Sequence, residues 1–166
     1  GLTKGVTNLE LTNGFATIAN QGLYHPAFFY TKIVDHDGNV LLDNTTNTDT
    51  KQVMKESTAW LLTSAMEDVI SKGTGSRLKF NMPQAGKTGT STGNRDLWFV
   101  GYTPYLTAGI WGGYDSGQKQ TSLTYQKDLW RDTMEKLNQN YTKVSFKKPD
   151  SITTAVICTK CGKLAI

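Results

Sequence analysis

Three strand-like runs, Gln84–Thr90, Leu97–Tyr102 and Leu106–Gly113, follow one another with only short turns between them. Parallel pairing needs a long crossover between strands, so these runs pair antiparallel. A sheet must bury at least one face, and helices are available to cover it. Thr7-Asn8-Leu9-Glu10 has the form of a capping box. Leu11, Phe15, Ile18 and Ala19 follow at helical spacing, and Gly22 lies past the end, which predicts a helix over about Thr7–Gln21. A second helix is predicted over Lys55–Ser71, with Trp60, Leu61, Ala65, Met66, Val69 and Ile70 as a broad apolar face and Gly73-Thr74-Gly75 as its stop. A third is predicted over Asp128–Asn140, with Leu129, Trp130, Met134 and Leu137 on one side. Between the first two helices, Phe28–Val34, the turn Asp35-His36-Asp37-Gly38-Asn39 and Val40-Leu41-Leu42 predict a hairpin, with Asp43–Thr50 as a polar loop. The layout is α+β, an antiparallel sheet flanked by helices. Three central strands make a narrow sheet, and its edges call for further strands to complete it.

The 166 residues are 37% hydrophobic and 19% charged, which suits one globular domain or a large piece of one and excludes a disordered chain. The net charge of +4 is dispersed except at Lys143, Lys147 and Lys148. A nucleic-acid surface gathers its cations into a stripe with interleaved aromatics, so no nucleic-acid partner is expected. No apolar run approaches the roughly 18–20 residues that span a bilayer. The opening Gly1-Leu2-Thr3-Lys4-Gly5 runs straight into a helix signal without a Met, as expected of a fragment boundary. From Val144 the periodicity breaks, and Lys147-Lys148-Pro149-Asp150 reads as a domain exit. Residues 1–145 are therefore expected to form the body and 146–166 an exit and extended tail. That tail carries Cys158-Thr159-Lys160-Cys161-Gly162. A zinc ribbon needs a second such pair, and His25 and His36 are too far away and wrongly spaced to complete a Cys2His2 site. Three readings stay open: an ordinary pair or disulfide, half of a metal site completed elsewhere, or redox chemistry. No metal ligand set and no cofactor is assigned.

The chemistry-bearing motif is Lys87-Thr88-Gly89-Thr90. On a strand Thr88 and Thr90 project to the same face, where two hydroxyls can grip the two oxygens of a carboxylate. Gly89 lets a neighbouring element or a ligand come close. Lys87 has the opposite parity, but its long stem lets the ammonium meet an anionic substrate and favour deprotonation of a nearby hydroxyl. A backbone amide at a strand edge can donate to a developing oxyanion. A phosphate-binding P-loop is excluded: its first Gly would fall at Asn81, Pro83 intervenes, and a strand rather than a helix follows.

The wider context gives these residues a family. Gly73-Thr74-Gly75, Ala85-Gly86-Lys87-Thr88-Gly89-Thr90-Ser91 and Asp96-Leu97-Trp98-Phe99-Val100-Gly101-Tyr102-Thr103-Pro104 together resemble the transpeptidase domain of class A (bifunctional) penicillin-binding proteins. Gly5–Leu11 with Phe15–Gly22 resembles the helix preceding this region, and Ile110-Trp111-Gly112-Gly113-Tyr114-Asp115 the strand that follows it. The resemblance covers roughly Gly1–Tyr141 and implies part of a penicillin-binding/serine β-lactamase-like fold. It implies a peptidoglycan D,D-transpeptidase, in which a serine attacks D-Ala-D-Ala stem peptides and forms an acyl-enzyme, and β-lactams acylate the same serine. It makes Lys87, Thr88, Gly89 and Thr90 substrate-binding residues, with Lys87 acting electrostatically and the Thr90 backbone in the oxyanion hole. The family also uses Ser-x-x-Lys and Ser-x-Asn. Ser-x-Asn does not occur here, and Ser76–Lys79, Ser116–Lys119 and Ser145–Lys148 are not at the start of an apolar helix upstream of Lys87. The nucleophile is therefore expected on the N-terminal part of the same domain, which becomes a partner of this chain, and the chain alone is expected to be inactive. The resemblance places the intact protein on the extracytoplasmic face of the bacterial membrane. The alternatives are a non-catalytic module binding cell-wall peptides or partners, and a serine β-lactamase relative.

Overall fold

The computed structural model describes residues 5–45 and 49–164. Helix α1 spans Asn8–Ala19. Its capping box is complete: the Glu10 amide donates to Thr7 Oγ1 at 3.2 Å, and the Thr7 amide donates to Glu10 Oε2 at 2.7 Å. These bonds satisfy two helix-end amides and hold the Glu10 carboxyl below its ordinary range. The chain leaves α1 through Gly22, at a φ of +83°, where the Gly22 amide closes back onto the Thr17 carbonyl at 2.8 Å.

Two small sheets follow. Strand β1, Leu23–Tyr24, pairs antiparallel with β4, Lys51–Gln52, and β2, Lys32–Val34, pairs with β3, Val40–Asp43. The β2–β3 turn is an Asx turn in which Asp35 Oδ1 accepts from the Asp37 and Asn39 amides. The strand expected from Phe28 starts only at Lys32. Pro26 has no amide to donate, and the carbonyls of His25 and Tyr30 accept from the side chains of Asn13 and Asn44 instead of from a ladder. The expected polar loop 43–50 falls partly on residues 46–48, outside the described residues.

Helix α2, Glu56–Ser71, leads through a single 3-10 turn, Ser76–Leu78, into the main sheet. Strands β5 (Ala85–Thr90), β6 (Asp96–Tyr102) and β7 (Thr107–Gly113) form it in the order β5-β6-β7, all antiparallel. Helix α3, Tyr125–Asn138, follows. The sheet has a helical layer on each face. Odd-numbered β5 and β7 residues and even-numbered β6 residues face α1 and α2, where Met66, Ala85 and Tyr102 pack with Phe15, Ile18, Ala19 and Phe146. The opposite face packs Phe99, Ala108 and Ile110 against Trp130 and Met134 of α3, with Ile70 and Leu78. Two glycines on β7 set the helix distances. A Cβ on Gly109 would meet Thr12 Oγ1 of α1 and one on Gly112 would meet Tyr125 of α3, each well inside van der Waals contact.

The helix faces differ from expectation at several positions. Leu61 and Ala65 of α2 are exposed, and Thr63 is buried instead, its hydroxyl bonded to the Ala59 carbonyl at 2.9 Å and to the Tyr102 hydroxyl at 2.7 Å. On α3, Leu129 and Leu137 are exposed, while Gln126 and Asn138 are buried beside Trp130 and Met134. Helix α3 also starts three residues early, because Tyr125 reaches into the β7 end, where its hydroxyl donates to Gln120 and Gln120 donates to the Gly112 carbonyl.

Candidate functional site

The Lys87–Thr90 run occupies the outer strand of the main sheet. Strand β5 pairs with β6 on one side, and among the described residues no strand pairs with its other side. The register places Lys87 opposite Val100, Thr88 opposite Phe99, Gly89 opposite Trp98 and Thr90 opposite Leu97. One hydrogen bond fixes which backbone groups face outward. The Ser91 amide donates across to the Asp96 carbonyl at 3.0 Å. Antiparallel residues alternate between bonding the partner strand and turning away from it. Gly89 and Lys87 therefore bond toward β6, and the amides and carbonyls of Thr88 and Thr90 turn to the unpaired edge. The outward Thr88 carbonyl accepts from Lys87 Nζ at 2.9 Å.

The side chains divide between the two faces of β5. Lys87 and Gly89 face α1 and border a cavity of about 790 Å³, together with Asp96, Trp98, Val100 and Trp111 of the sheet and Leu11 and Phe15 of α1. Most of this lining is apolar. Its floor is braced by Trp111, whose Nε1 donates to Asp96 Oδ1 at 3.1 Å and whose ring lies 6.4 Å from that of Trp98. Gly89 sits directly on Trp98, since a Cβ there would stand 3.1 Å from the Trp98 Cβ. Thr88 projects to the other face, where its hydroxyl lies 3.1 Å from that of Thr74 in the Gly73-Thr74-Gly75 turn. Lys127 of α3 donates to the Thr74 carbonyl at 3.3 Å, so a second cation stands on the Thr88 side of the strand. Spacing alone did not point to Thr74 or Lys127 as neighbours of the motif, because each comes from a different element and meets it only in the folded sheet. Thr90, at the end of β5, is exposed.

The three Ser-x-x-Lys pairs lie away from this edge or do not form a unit. Ser76 opens the 3-10 turn, and Lys79 donates to the Ser71 carbonyl at 3.0 Å. Ser116 lies in the turn after β7, and Ser145 and Lys148 lie after α3, where Lys148 donates to Thr154 Oγ1 at 2.9 Å. Among the described residues no group of three or more His, Cys, Asp or Glu side chains is placed to hold a metal.

An antiparallel sheet between helical layers, with Lys-Thr-Gly on its outer strand beside an apolar cavity, is the architecture of the penicillin-binding class. The comparisons with known proteins agree. Residues 1–135 match the family model "Penicillin binding protein transpeptidase domain", and the chain belongs to this family of peptidoglycan transpeptidases. It is 36% identical over 167 residues to penicillin-binding protein 1A of Clostridium botulinum, an alignment covering 98% of this chain and 20% of that protein. It is 33% identical over 162 residues to penicillin-binding protein 1F of Bacillus subtilis, covering 92% of this chain and 22% of that protein. The chain thus spans about a fifth of the length of these curated relatives. Among solved structures it superposes on the penicillin-binding protein PonA1 of Mycobacterium tuberculosis with a TM-score of 0.76 and 29% identity, covering 87% of this chain and 41% of that one.

Proposed function

We propose that this chain is the substrate-binding part of a D,D-transpeptidase that acts on D-Ala-D-Ala stem peptides through a serine acyl-enzyme, and that β-lactams bind at the same place. The observation that carries the proposal is the outward face of β5. There the Thr88 and Thr90 backbone groups meet an edge that no strand among the described residues pairs with, with Lys87 and an apolar cavity immediately beside them. An extended peptide adds to such an edge as a strand. In this proposal the Thr88 and Thr90 hydroxyls hold the terminal carboxylate, and the Thr90 amide donates to the oxyanion that forms on the scissile carbonyl. Lys87 places positive charge next to both. Gly89 keeps the strand thin where the substrate lies.

The serine that forms the ester, its lysine base and a Ser-x-Asn element are not among these residues in the family's arrangement. In the proposal they come from the N-terminal part of the same domain, and residues 146–166 lead out of it. The chain alone then binds without reacting. The intact protein works on the extracytoplasmic face of the membrane, where stem peptides are. No described helix is long and apolar enough to cross a bilayer.

Labelling with a fluorescent penicillin tests this. The expected outcome is no covalent label on the chain alone and a label when the upstream segment of the domain is co-expressed. Lys87→Ala is expected to lower that label strongly. A covalent adduct on the chain by itself overturns the proposal.

A further inference from the structure

The Gly73-Thr74-Gly75 turn joins the end of α2 to the 3-10 turn, and close packing holds it beside β5. The Gly75 amide donates to the Val69 carbonyl at 2.9 Å, and the Ser76 amide donates to the Gly73 carbonyl at 3.2 Å. A Cβ on Gly73 would stand 2.9 Å from the Val69 carbonyl oxygen, and one on Gly75 would stand 2.9 Å from Ile70 Cδ1. Glycine at both positions lets the chain turn this tightly onto the helix end. From the other side Lys127 of α3 donates to the Thr74 carbonyl at 3.3 Å. The backbone around Thr74 is thereby fixed, and its side chain is aimed at β5, with Thr74 Oγ1 and Thr88 Oγ1 3.1 Å apart.

Either hydroxyl can donate across that contact in the free chain. A bound carboxylate fixes the direction. A hydroxyl has one proton to donate, and a carboxylate has none and only accepts. Once Thr88 donates its proton to a carboxylate oxygen, the proton between the two threonines comes from Thr74. All the protons then point one way, from Thr74 to Thr88 to the substrate, and each bond polarises the next. The bond that ends on the ionised group is the stronger kind. Thr74 is exposed and Thr88 half-buried, so a peptide lying along this edge also shields the pair from water and strengthens the contact. A terminal carboxamide carries no charge and gains less from the same chain of hydroxyls.

We propose that Thr74 is a positioning residue for the terminal carboxylate of the substrate: its hydroxyl donates to Thr88 Oγ1 and so commits the Thr88 proton to the carboxylate. This role rests on Thr88 being a carboxylate contact at the β5 edge. Thr74 acts through Thr88, and Lys127 acts on Thr74 by holding its carbonyl.

The test titrates the full chain with an N-acetylated D-Ala-D-Ala peptide and with the same peptide as its C-terminal amide. The unaltered chain is expected to bind the acid more tightly than the amide. Thr74→Val keeps the branched shape without the hydroxyl and is expected to bind the acid about three- to tenfold more weakly. Its binding of the amide is expected to stay within about twofold, the scatter of an uncoupled change. Thr74→Ser restores the hydroxyl and is expected to return acid binding to the unaltered value within the same margin. In a Thr88→Val background, Thr74→Val is expected to cause no further loss, because the two hydroxyls act in series. Equal weakening of acid and amide, failure of the serine variant to rescue, or additive losses in the double variant overturns the role of Thr74. Unchanged acid binding by Thr74→Val, in a chain that still prefers the acid, overturns that role and leaves the β5 edge as the carboxylate site. A chain that does not distinguish acid from amide overturns the β5 edge as the carboxylate site, and the role of Thr74 with it.

Discussion

Trp130 joins the main sheet to its outer helix. It is fully buried, its ring meets Phe99 edge-on at 4.9 Å, and its Nε1 donates to the Ala108 carbonyl at 3.0 Å. Trp130→Ala removes the largest buried side chain together with its N–H bond to a strand carbonyl, so denaturant unfolding is expected to show a loss of about 3–5 kcal/mol. Tyr102 plays the matching part on the other face. Burial pushes its phenol up to about 12, against the smaller opposing pull of the Thr63 hydrogen bond. The folded state therefore keeps the proton that the unfolded chain loses near pH 10. The stability this group contributes is fully present below pH 10 and is lost as pH rises through about 12. Tyr102→Phe is expected to flatten that alkaline decline in a pH series of thermal melts. At the candidate site, Thr88→Val keeps the strand but removes the hydroxyl beside Thr74. Titration with a D-Ala-D-Ala peptide is expected to show at least about tenfold weaker binding, the cost of one lost charge-assisted hydrogen bond.

Elements were legible in the sequence wherever the signal was local. The capping box of α1 is stated by Thr7 and Glu10, and it forms as written. The three strands of the main sheet begin and end within a residue or two of expectation, because short turns leave little room for other pairings. Signals that depend on distant partners were not legible. The two-residue pairing of β1 with β4 has no periodicity to reveal it. Asn138 carries no apolar signal that marks it for the core. It is buried because Thr103 donates to its Oδ1 at 2.9 Å and its Nδ2 donates to the Met134 carbonyl at 2.7 Å, and that partner lies 35 residues away. For the same reason the motif named the β5 strand, but not Thr74 or Lys127 beside it. Two changes test the seating of α1. Thr7→Ala removes the cap acceptor and is expected to cost about 0.5–2 kcal/mol in denaturant unfolding. Gly109→Ala pushes a Cβ into Thr12 and Asn8 and is expected to cost more, since α1 must move off β7.

Stability across the whole molecule is uneven, and the unevenness follows the layers. Strand β6 has a strand on each side and helices over both faces, so its amides open only when the main sheet comes apart. The β2–β3 hairpin is the opposite case. Every residue of its two strands is exposed, and among the described elements the two strands pack only on each other. A two-stranded ribbon without a covered face is marginal in water, and here it is held mainly by its Asx turn and the Lys32–Asp43 pair at 3.3 Å. That ion pair is partly exposed and adds little. The body around Phe99, Trp130 and Tyr102 and the hairpin are therefore expected to behave as separate units under native hydrogen exchange. Amides of β6, such as those of Phe99 and Val100, are expected to exchange only through global opening and to slow in proportion to any added stability. Those of Ile33 and Leu42 are expected to exchange through local opening at a rate that Trp130→Ala leaves unchanged. A hairpin whose exchange tracks the Trp130 variant as closely as β6 does would show that it is coupled to the core by contacts other than those between its own strands.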